Sequence, residues 1–229
     1  MNRLVKPELL DTLPSADPRA IHSRNDLRRI NAWMRSAAIM AESLEKFSPA
    51  APSWHLTEIG AGDGNFLLSV TKQMSLCRPG AKVTLLDCQP VVASETLADF
   101  AALGWPAAVV AEDVFNWPLT AEPPGIVVAN LFLHHFEDAR LADLLRLVAA
   151  RAELFIALEP RRARWPLFCS RLLWLIGCNA VTRHDATVSV RAGFSGHEIS
   201  SLWPDNKNWR LTENAAGMFS HLFIARKNP

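Results

Sequence analysis

Residues 55–66, reading H-L-T-E-I-G-A-G-D-G-N-F, restrict this chain more than any other part of it. A short apolar run carrying one carboxylate, Glu58, breaks into Gly60, Gly62 and Gly64, and a helical pattern begins at Asn65. Strand, glycine turn and helix N-terminus in that order bring backbone N–H groups and the positive end of a helix dipole to one corner. Glycine is needed there where a ligand touches the backbone and where φ turns positive. A dinucleotide fingerprint spaces its glycines G-x-G-x-x-G to hold a pyrophosphate. Here the third glycine comes one residue early. A carboxylate two residues before the first glycine would also repel a phosphate, although it could orient a cation. The plainer alternative is an ordinary glycine turn between strand and helix.

Around this corner the chain alternates between strand-like and helix-like patterns. Strands are expected at 56–60, 82–87 (after the Pro79-Gly80 turn), 107–113, 126–131 (after Pro123-Pro124-Gly125) and 154–158, with helices at 65–76, 91–103 and 137–150. Such alternation predicts an α/β fold with a parallel sheet covered on both faces. Residues 1–53 precede it as an N-terminal helical cap segment. Pro7, Pro14 and Pro18 punctuate its start, and Ser23 or Asn25 would cap a helix running through Leu27, Ile30, Met34 and Ala38 to Phe47. Arg24, Asp26, Arg28, Arg29 and Asn31 form either a solvated polar face or a cap over a pocket, and Pro49, Pro52 and Ser53 form the linker. Beyond strand five the pattern predicts an apolar helix over 163–177, a loop over 179–190 and a short helix near 196–202. A hairpin of 209–214 and 219–226 closes the chain.

The pattern E-x-G-x-G-x-G resembles motif I of the class I S-adenosylmethionine-dependent methyltransferases, whose ligand carries a sulfonium and an ammonium but no phosphate. The resemblance covers about residues 54–227, with its sharp motifs confined to 58–135. It implies a Rossmann-like seven-stranded sheet, mostly parallel with an antiparallel last strand, with residues 54–229 as the cofactor-binding domain. It also implies that S-adenosyl-L-methionine is held by Glu58, Gly60, Ala61, Gly62 and Gly64 at the first strand end. At the second, Asp87 lies about 20 residues past the glycine turn, where an acid accepts ribose hydroxyl protons, with Cys88 and Gln89 along the adenosine. Asp113 and Val114 would meet the adenine, and Asn130 the methionine part. Residues 130–136, N-L-F-L-H-H-F, resemble the N-x-x-L-H-H segment of small-molecule members. They differ from the N/D-P-P-Y/F tetrapeptide of enzymes that methylate nucleic-acid bases.

A histidine titrates near neutral pH, so His134 or His135 could deprotonate an acceptor. His184, beside Asp185, is a second candidate base. A two-histidine metal site lacks further ligands at suitable spacing, so no metal is expected. Arg161, Arg162 and Arg164 are either solvated or face an acidic or membrane-associated substrate, with Trp165, Phe168 and Trp174 as an apolar wall. Eight tryptophans and no tyrosines favour an apolar acceptor. The net charge of +1 gives no reason to expect nucleic acid or an anionic membrane surface. Residues 165–178 contain Arg171 and fall short of the roughly 20 residues that a span needs, which argues against stable membrane insertion. No signal peptide is visible. Cys77, Cys88, Cys169 and Cys178 show no metal-type spacing and are expected as buried or half-buried thiols of a cytoplasmic protein. The expected function is methyl transfer to a small, apolar or aromatic (phenolic or polyketide-like) acceptor, on oxygen. A non-catalytic cofactor-binding or partner subunit and an RNA methyltransferase are the alternatives. Nothing in the sequence specifies an oligomeric state.

Overall fold

The computed structural model describes residues 1–48, 54–74, 80–89, 91–117, 125–204 and 207–228. In chain order the elements are α1 (Leu9–Thr12), α2 (Pro18–Trp33), α3 (Ser36–Phe47), β1 (His55–Ile59), α4 (Asn65–Gln73), β2 (Lys82–Asp87), α5 (Ser94–Ala102) and β3 (Ala107–Ala111). Then follow β4 (Ile126–Asn130), α6 (Asp138–Ala149), β5 (Leu154–Pro160), α7 (Arg164–Ser170), α8 (Ala180–Ala192), α9 (Glu198–Leu202), β6 (Trp209–Ala216) and β7 (Ser220–Lys227). The seven strands lie in the order β3-β2-β1-β4-β5-β7-β6. Strands β1 to β5 pair in parallel, and β7 runs antiparallel to both neighbours. The seven-stranded arrangement expected from the sequence is therefore present.

The two-residue period of the strands splits the core into two layers. Leu56, Leu85, Val128 and Ile156 point to one face, where Met40 and Leu44 of α3, Leu67 of α4 and Phe100 of α5 cover them. Ile59, Leu86, Val127 and Phe155 point to the other, against Leu141, Leu144 and Leu145 of α6 and Ile199 of α9. All seven residues of β5 are buried, as its central place requires. Because α3 fills part of the first layer, the N-terminal segment belongs to the same core as the sheet. The expected boundary at 53/54 and the Pro49, Pro52 and Ser53 linker fall at residues 49–53, which with Cys77, Pro79, Pro123 and Pro124 lie largely outside the described residues.

Several local expectations are corrected. The single helix ending at Phe47 is two helices, broken where Arg35 takes a left-handed φ of 58°. Its cap is Asp17, whose side chain accepts the Arg19 N–H, with Pro18 at the first helical position. Ser23 and Asp26 are instead buried against α8. Asp26 accepts the Asn179 N–H at 2.9 Å and the Thr182 hydroxyl at 3.0 Å, so it is no part of a solvated face. The helix expected from residue 91 starts at Ser94, and 163–177 resolves into α7 plus a 3-10 turn at Leu173–Ile176. The loop expected over 179–190 is α8, capped by Asn179, whose side chain accepts the Thr182 N–H. Of the described cysteines, Cys88 is exposed rather than buried.

Candidate functional site

The parallel strands end together around the glycine turn. Gly60 and Ala61 donate their N–H groups to the Leu86 carbonyl, at 2.9 and 3.1 Å, which ties the turn to β2. Asp87 completes the tie: one carboxylate oxygen accepts the Gly62 N–H at 2.8 Å, and the other accepts the Gln89 N–H at 2.8 Å. Gly60, Gly62 and Gly64 all have positive φ. At Gly60 the reason is visible, because an added Cβ would lie 2.2 Å from Cδ2 of Phe132. Gly64, with φ of 73°, sets the start of α4.

A cavity of about 310 Å³ opens beside this turn. Gly60, Asp87, Cys88, Asp113 and Val114 line it together with Phe132, so predicted residues of three strand ends converge on one space, whereas Glu58, Ala61, Gly62, Gly64, Gln89 and Asn130 are not among the lining residues. Asp113 accepts the Phe115 N–H at 2.8 Å and so caps the short 3-10 turn Val114–Asn116. Arg140 and Phe136, which the sequence reading missed, close the far side. The Arg140 guanidinium sits 3.3 Å from the Phe115 ring centroid, and Phe136 packs edge-on against Phe115 and Phe132.

Two oxygens next to the turn are left unsatisfied. Glu58 Oε2 and Asn130 Oδ1 are buried and have no hydrogen-bond partner among the described residues. Burial, reinforced by the charges of Asp63 and Asp87, pushes the Glu58 carboxyl well above its usual range. Each of these oxygens is a buried acceptor that a hydrogen-bond donor on a ligand could satisfy. Burial and Asp87 also push up the Cys88 thiol, with a smaller contribution from Asp11.

The histidine pair is set by Glu159, another residue the sequence reading passed over. Fully buried at the end of β5, Glu159 accepts the N–H groups of Phe132 and Leu133 and faces His134 Nδ1 at 2.8 Å. These bonds hold the segment after Leu131, which itself has φ of 54°. On its other side His134 Nε2 meets Glu8 at 3.2 Å. Burial would lower the His134 pKa, yet the hydrogen bonds and charges of Glu159 and Glu8 outweigh it and raise the value to about 9. His134 is therefore a cation at neutral pH, and the role of base expected for it runs against its charge state. His135 pairs through Nδ1 with Asp11 at 3.0 Å. His184 lies exposed on α8, bonded to Asp185 at 2.8 Å, and is not among the cavity residues. Asp185 is engaged elsewhere, accepting the N–H groups of Leu9 and Leu10 and so holding the start of α1. Glu8, His134 and His135 offer ligand atoms within 4.8 Å of one another. Both nitrogens of His134 already face carboxylates, so ion pairing accounts for that cluster.

The N-terminal segment thus lies across the β4 end. Arg3 bonds to the carbonyls of Ala192 and Phe136 and to Asp138, while Glu8 and Asp11 reach the two histidines. From the other side Arg28 of α2 approaches Asp63 of the glycine turn at 3.7 Å. The apolar wall expected from Trp165, Phe168 and Trp174 does not face this cavity, since all three side chains are exposed. Arg162 is buried, held by the Gly193 carbonyl, Ser195 and Glu198.

No protein-family model and no curated protein matches the chain. Solved structures do. The chain is similar to the plantazolicin methyltransferase BpumL in complex with SAH, at 14% identity and a TM-score of 0.65, covering 93% of this chain and 92% of that one. It is similar to the mitomycin 7-O-methyltransferase MmcR at 17% identity and a TM-score of 0.62, covering 96% of this chain and 60% of that one. It is also similar to RosA of Streptomyces davawensis, an N,N-8-amino-8-demethyl-D-riboflavin dimethyltransferase, at 17% identity and a TM-score of 0.61, covering 97% and 62%. The chain thus spans nearly all of the first and about three fifths of the other two. Likeness at this level of identity establishes a shared fold, that of these methyltransferases.

Proposed function

We propose that this chain transfers the methyl group of S-adenosylmethionine to a small, apolar or aromatic acceptor, on oxygen. The observation that carries the assignment is the set of strand ends around the cavity. Gly60, the Asp87 carboxylate and Asp113 with Val114 line it, Asp87 also holds the Gly62 N–H, and Glu58 and Asn130, at the same strand ends, each keep a buried oxygen without a partner. The residues suit the cofactor's parts. Asp87 retains lone pairs for ribose hydroxyl protons, and Val114 offers its backbone to the adenine edge. Glu58 and Asn130 offer acceptors to the ammonium end, and Phe132 and Phe136 exclude water. Similarity to enzymes named for plantazolicin, mitomycin and an aminoriboflavin supports a small-molecule acceptor.

When bound, the cofactor supplies a methyl group on a cationic sulfur, and alignment with the acceptor oxygen provides most of the rate. His135 is the base in this scheme. With Nδ1–H donated to the Asp11 carboxylate, Nε2, 4.0 Å from Glu8 Oε2, would take the acceptor's proton, and the acceptor would have to reach it from beyond the cavity lining. His134 holds the segment in place through Glu159 and Glu8. Calorimetry with S-adenosylhomocysteine tests the cofactor assignment: folded protein that fails to bind at about millimolar concentration refutes it. Release of S-adenosylhomocysteine in the presence of phenols, carboxylic acids and amines then identifies the acceptor atom. A protein that binds the cofactor but turns over none of them is a non-catalytic relative of the fold. Turnover that survives His135→Asn undiminished rules out His135 as base.

A further inference from the structure

Helix α7 is inside out. Its inward residues are Pro166 and Ser170, the latter bonded to the Leu167 carbonyl and to Thr187, while Trp165 and Phe168 stand 55% and 52% exposed. The 3-10 turn that follows continues the pattern: Leu173 is buried, but Trp174, Leu175 and Ile176 are 56%, 61% and 47% exposed. Water-facing helices normally show the reverse arrangement. Trp165 and Phe168 are already stacked on each other, with centroids 5.7 Å apart. The surface extends beyond this segment. Trp33 packs on Phe219 at 5.6 Å, the Phe219 carbonyl accepts the Arg161 N–H, and Met218 stands exposed beside them. Arg29 joins the other edge by bonding the Ile176 carbonyl at 2.6 Å. Monomeric proteins rarely leave so many large apolar side chains together in water.

Charge on this face is one-sided. Between Glu159 and Asp185 the sequence holds Arg161, Arg162, Arg164, Arg171 and Arg183 and no acidic residue. Arg162 is buried, whereas Arg164, Arg171 and Arg183 are exposed. The overall charge of +1 conceals this local excess.

We propose that this face docks on an anionic lipid bilayer. Tryptophans settle at the boundary between head groups and acyl chains, with arginines at the phosphate level. A bilayer offers apolar and anionic contacts side by side, which is the pattern displayed here. A second copy of the chain is a poorer fit, since the segment between Glu159 and Asp185 holds no acidic residue that a two-fold contact could set against Arg164 and Arg171. Because α7 follows the carboxyl end of β5, docking would place that end of the sheet, where the cavity lies, toward the membrane. The proposal stands independently of the chemistry in the cavity.

Co-sedimentation with vesicles tests it. Wild-type protein is expected to partition about tenfold or more better onto phosphatidylcholine vesicles containing phosphatidylglycerol than onto phosphatidylcholine alone. The triple variant Trp165→Ser, Phe168→Ser, Trp174→Ser should lose at least about tenfold of that partitioning, with unchanged circular dichroism. Arg164→Gln with Arg171→Gln should weaken the preference for phosphatidylglycerol. Hydrogen exchange on the wild-type protein needs no variant, and vesicles should protect residues 164–177 selectively. Three results would overturn the proposal: no partitioning onto either vesicle, protection elsewhere but not at 164–177, or self-association in ultracentrifugation that the triple variant abolishes.

Discussion

Replacing Glu8 with Gln tests how the N-terminal segment is fastened to the sheet. Glu8 meets His134 at 3.2 Å, and both side chains are nearly buried. Burial would raise the Glu8 pKa, but the hydrogen bond and charge of His134, with smaller contributions from His135 and Ser189, bring it from 4.5 down to about 2. His134 rises from 6.5 to about 9. Either shift corresponds to about 3 kcal/mol, and the two are counted once because they describe the same contact from its two sides. Part of the His134 shift belongs to Glu159, which stays in the variant. Glu8→Gln should therefore cost about 2 kcal/mol near neutral pH.

The pH dependence gives a sharper readout. The raised His134 pKa contributes stability in full below 6.5 and loses it as pH rises through about 9. The lowered Glu8 pKa contributes in full above 4.5 and loses it as pH falls through about 2. Urea unfolding of the wild type should thus weaken from about pH 7 to about pH 10 through this contact. In Glu8→Gln the alkaline loss should be smaller and complete at lower pH. Hydrogen exchange across residues 1–12 should quicken in the variant. Equal unfolding free energies with parallel profiles over that range would show that Glu8 and His134 do not form the proposed ion pair.

Three further substitutions probe other parts of the structure. Gly60→Ala combines a φ of 69° with a Cβ 2.2 Å from the Phe132 ring and should cost about 2 kcal/mol or more; adding Phe132→Ala should relieve the overlap but not the backbone strain, and a single variant with wild-type melting behaviour would contradict the geometry. Asp26→Ala leaves the Asn179 N–H and the Thr182 hydroxyl without their buried acceptor and should lower unfolding free energy by about 2 to 3 kcal/mol, measured by urea titration; a loss below about 0.5 kcal/mol would mean that Asp26 is solvated after all. Burial and the charges of Asp63 and Asp87 raise the Glu58 pKa, and a cationic ligand settling beside it should lower it again and so favour proton release; calorimetry in buffers of different ionisation enthalpy should detect that release in the wild type and not in Glu58→Gln.

The alternating core was legible because its signals are local. The compact apolar run of β4 and the apolar stripe of α6 each lie within about a dozen residues, and glycine spacing marks where the sheet turns outward. Asp87 and Asp113 could be placed beside the cavity from sequence because strand ends can be counted. Glu159 obeys the same logic, a carboxylate closing a buried apolar strand, yet its partners are 25 to 27 residues away and it was passed over. Glu8 and Asp11 were out of reach, since their histidines lie 126 and 124 residues further along. Helix α8 was misread as a loop because its polar residues are satisfied by α1 and α2: Asp185 by Leu9 and Leu10, Thr182 by Asp26 and Ser23. Polar residues that look solvated in sequence can form a buried interface between helices.

The acids around the cavity also decide which ligands the corner can accept. Asp63 and Asp87 flank the glycine turn, with Glu159 behind the β4 end and Glu8 and Asp11 above it. His134 offsets one of the two charges of the Glu8–Glu159 pair, and Arg28, at 3.7 Å from Asp63, offsets one more. The remaining potential at the turn is negative, opposite to what a pyrophosphate cradle needs. Arg140 is the cavity's one lining arginine, and its guanidinium is stacked on Phe115. A phosphate at the turn would face the Asp87 carboxylate, and two unit charges about 4 Å apart repel by roughly 4 kcal/mol for an effective dielectric near 20. ATP and NAD should consequently fail to displace S-adenosylhomocysteine in a competition assay, whereas adenosine, which keeps the Asp87 contacts without the charge, should displace it weakly. Displacement by ATP at a concentration comparable to that of adenosine would mean that the glycine turn behaves as an ordinary phosphate corner, and that Glu58 and Asp87 do not select its ligand.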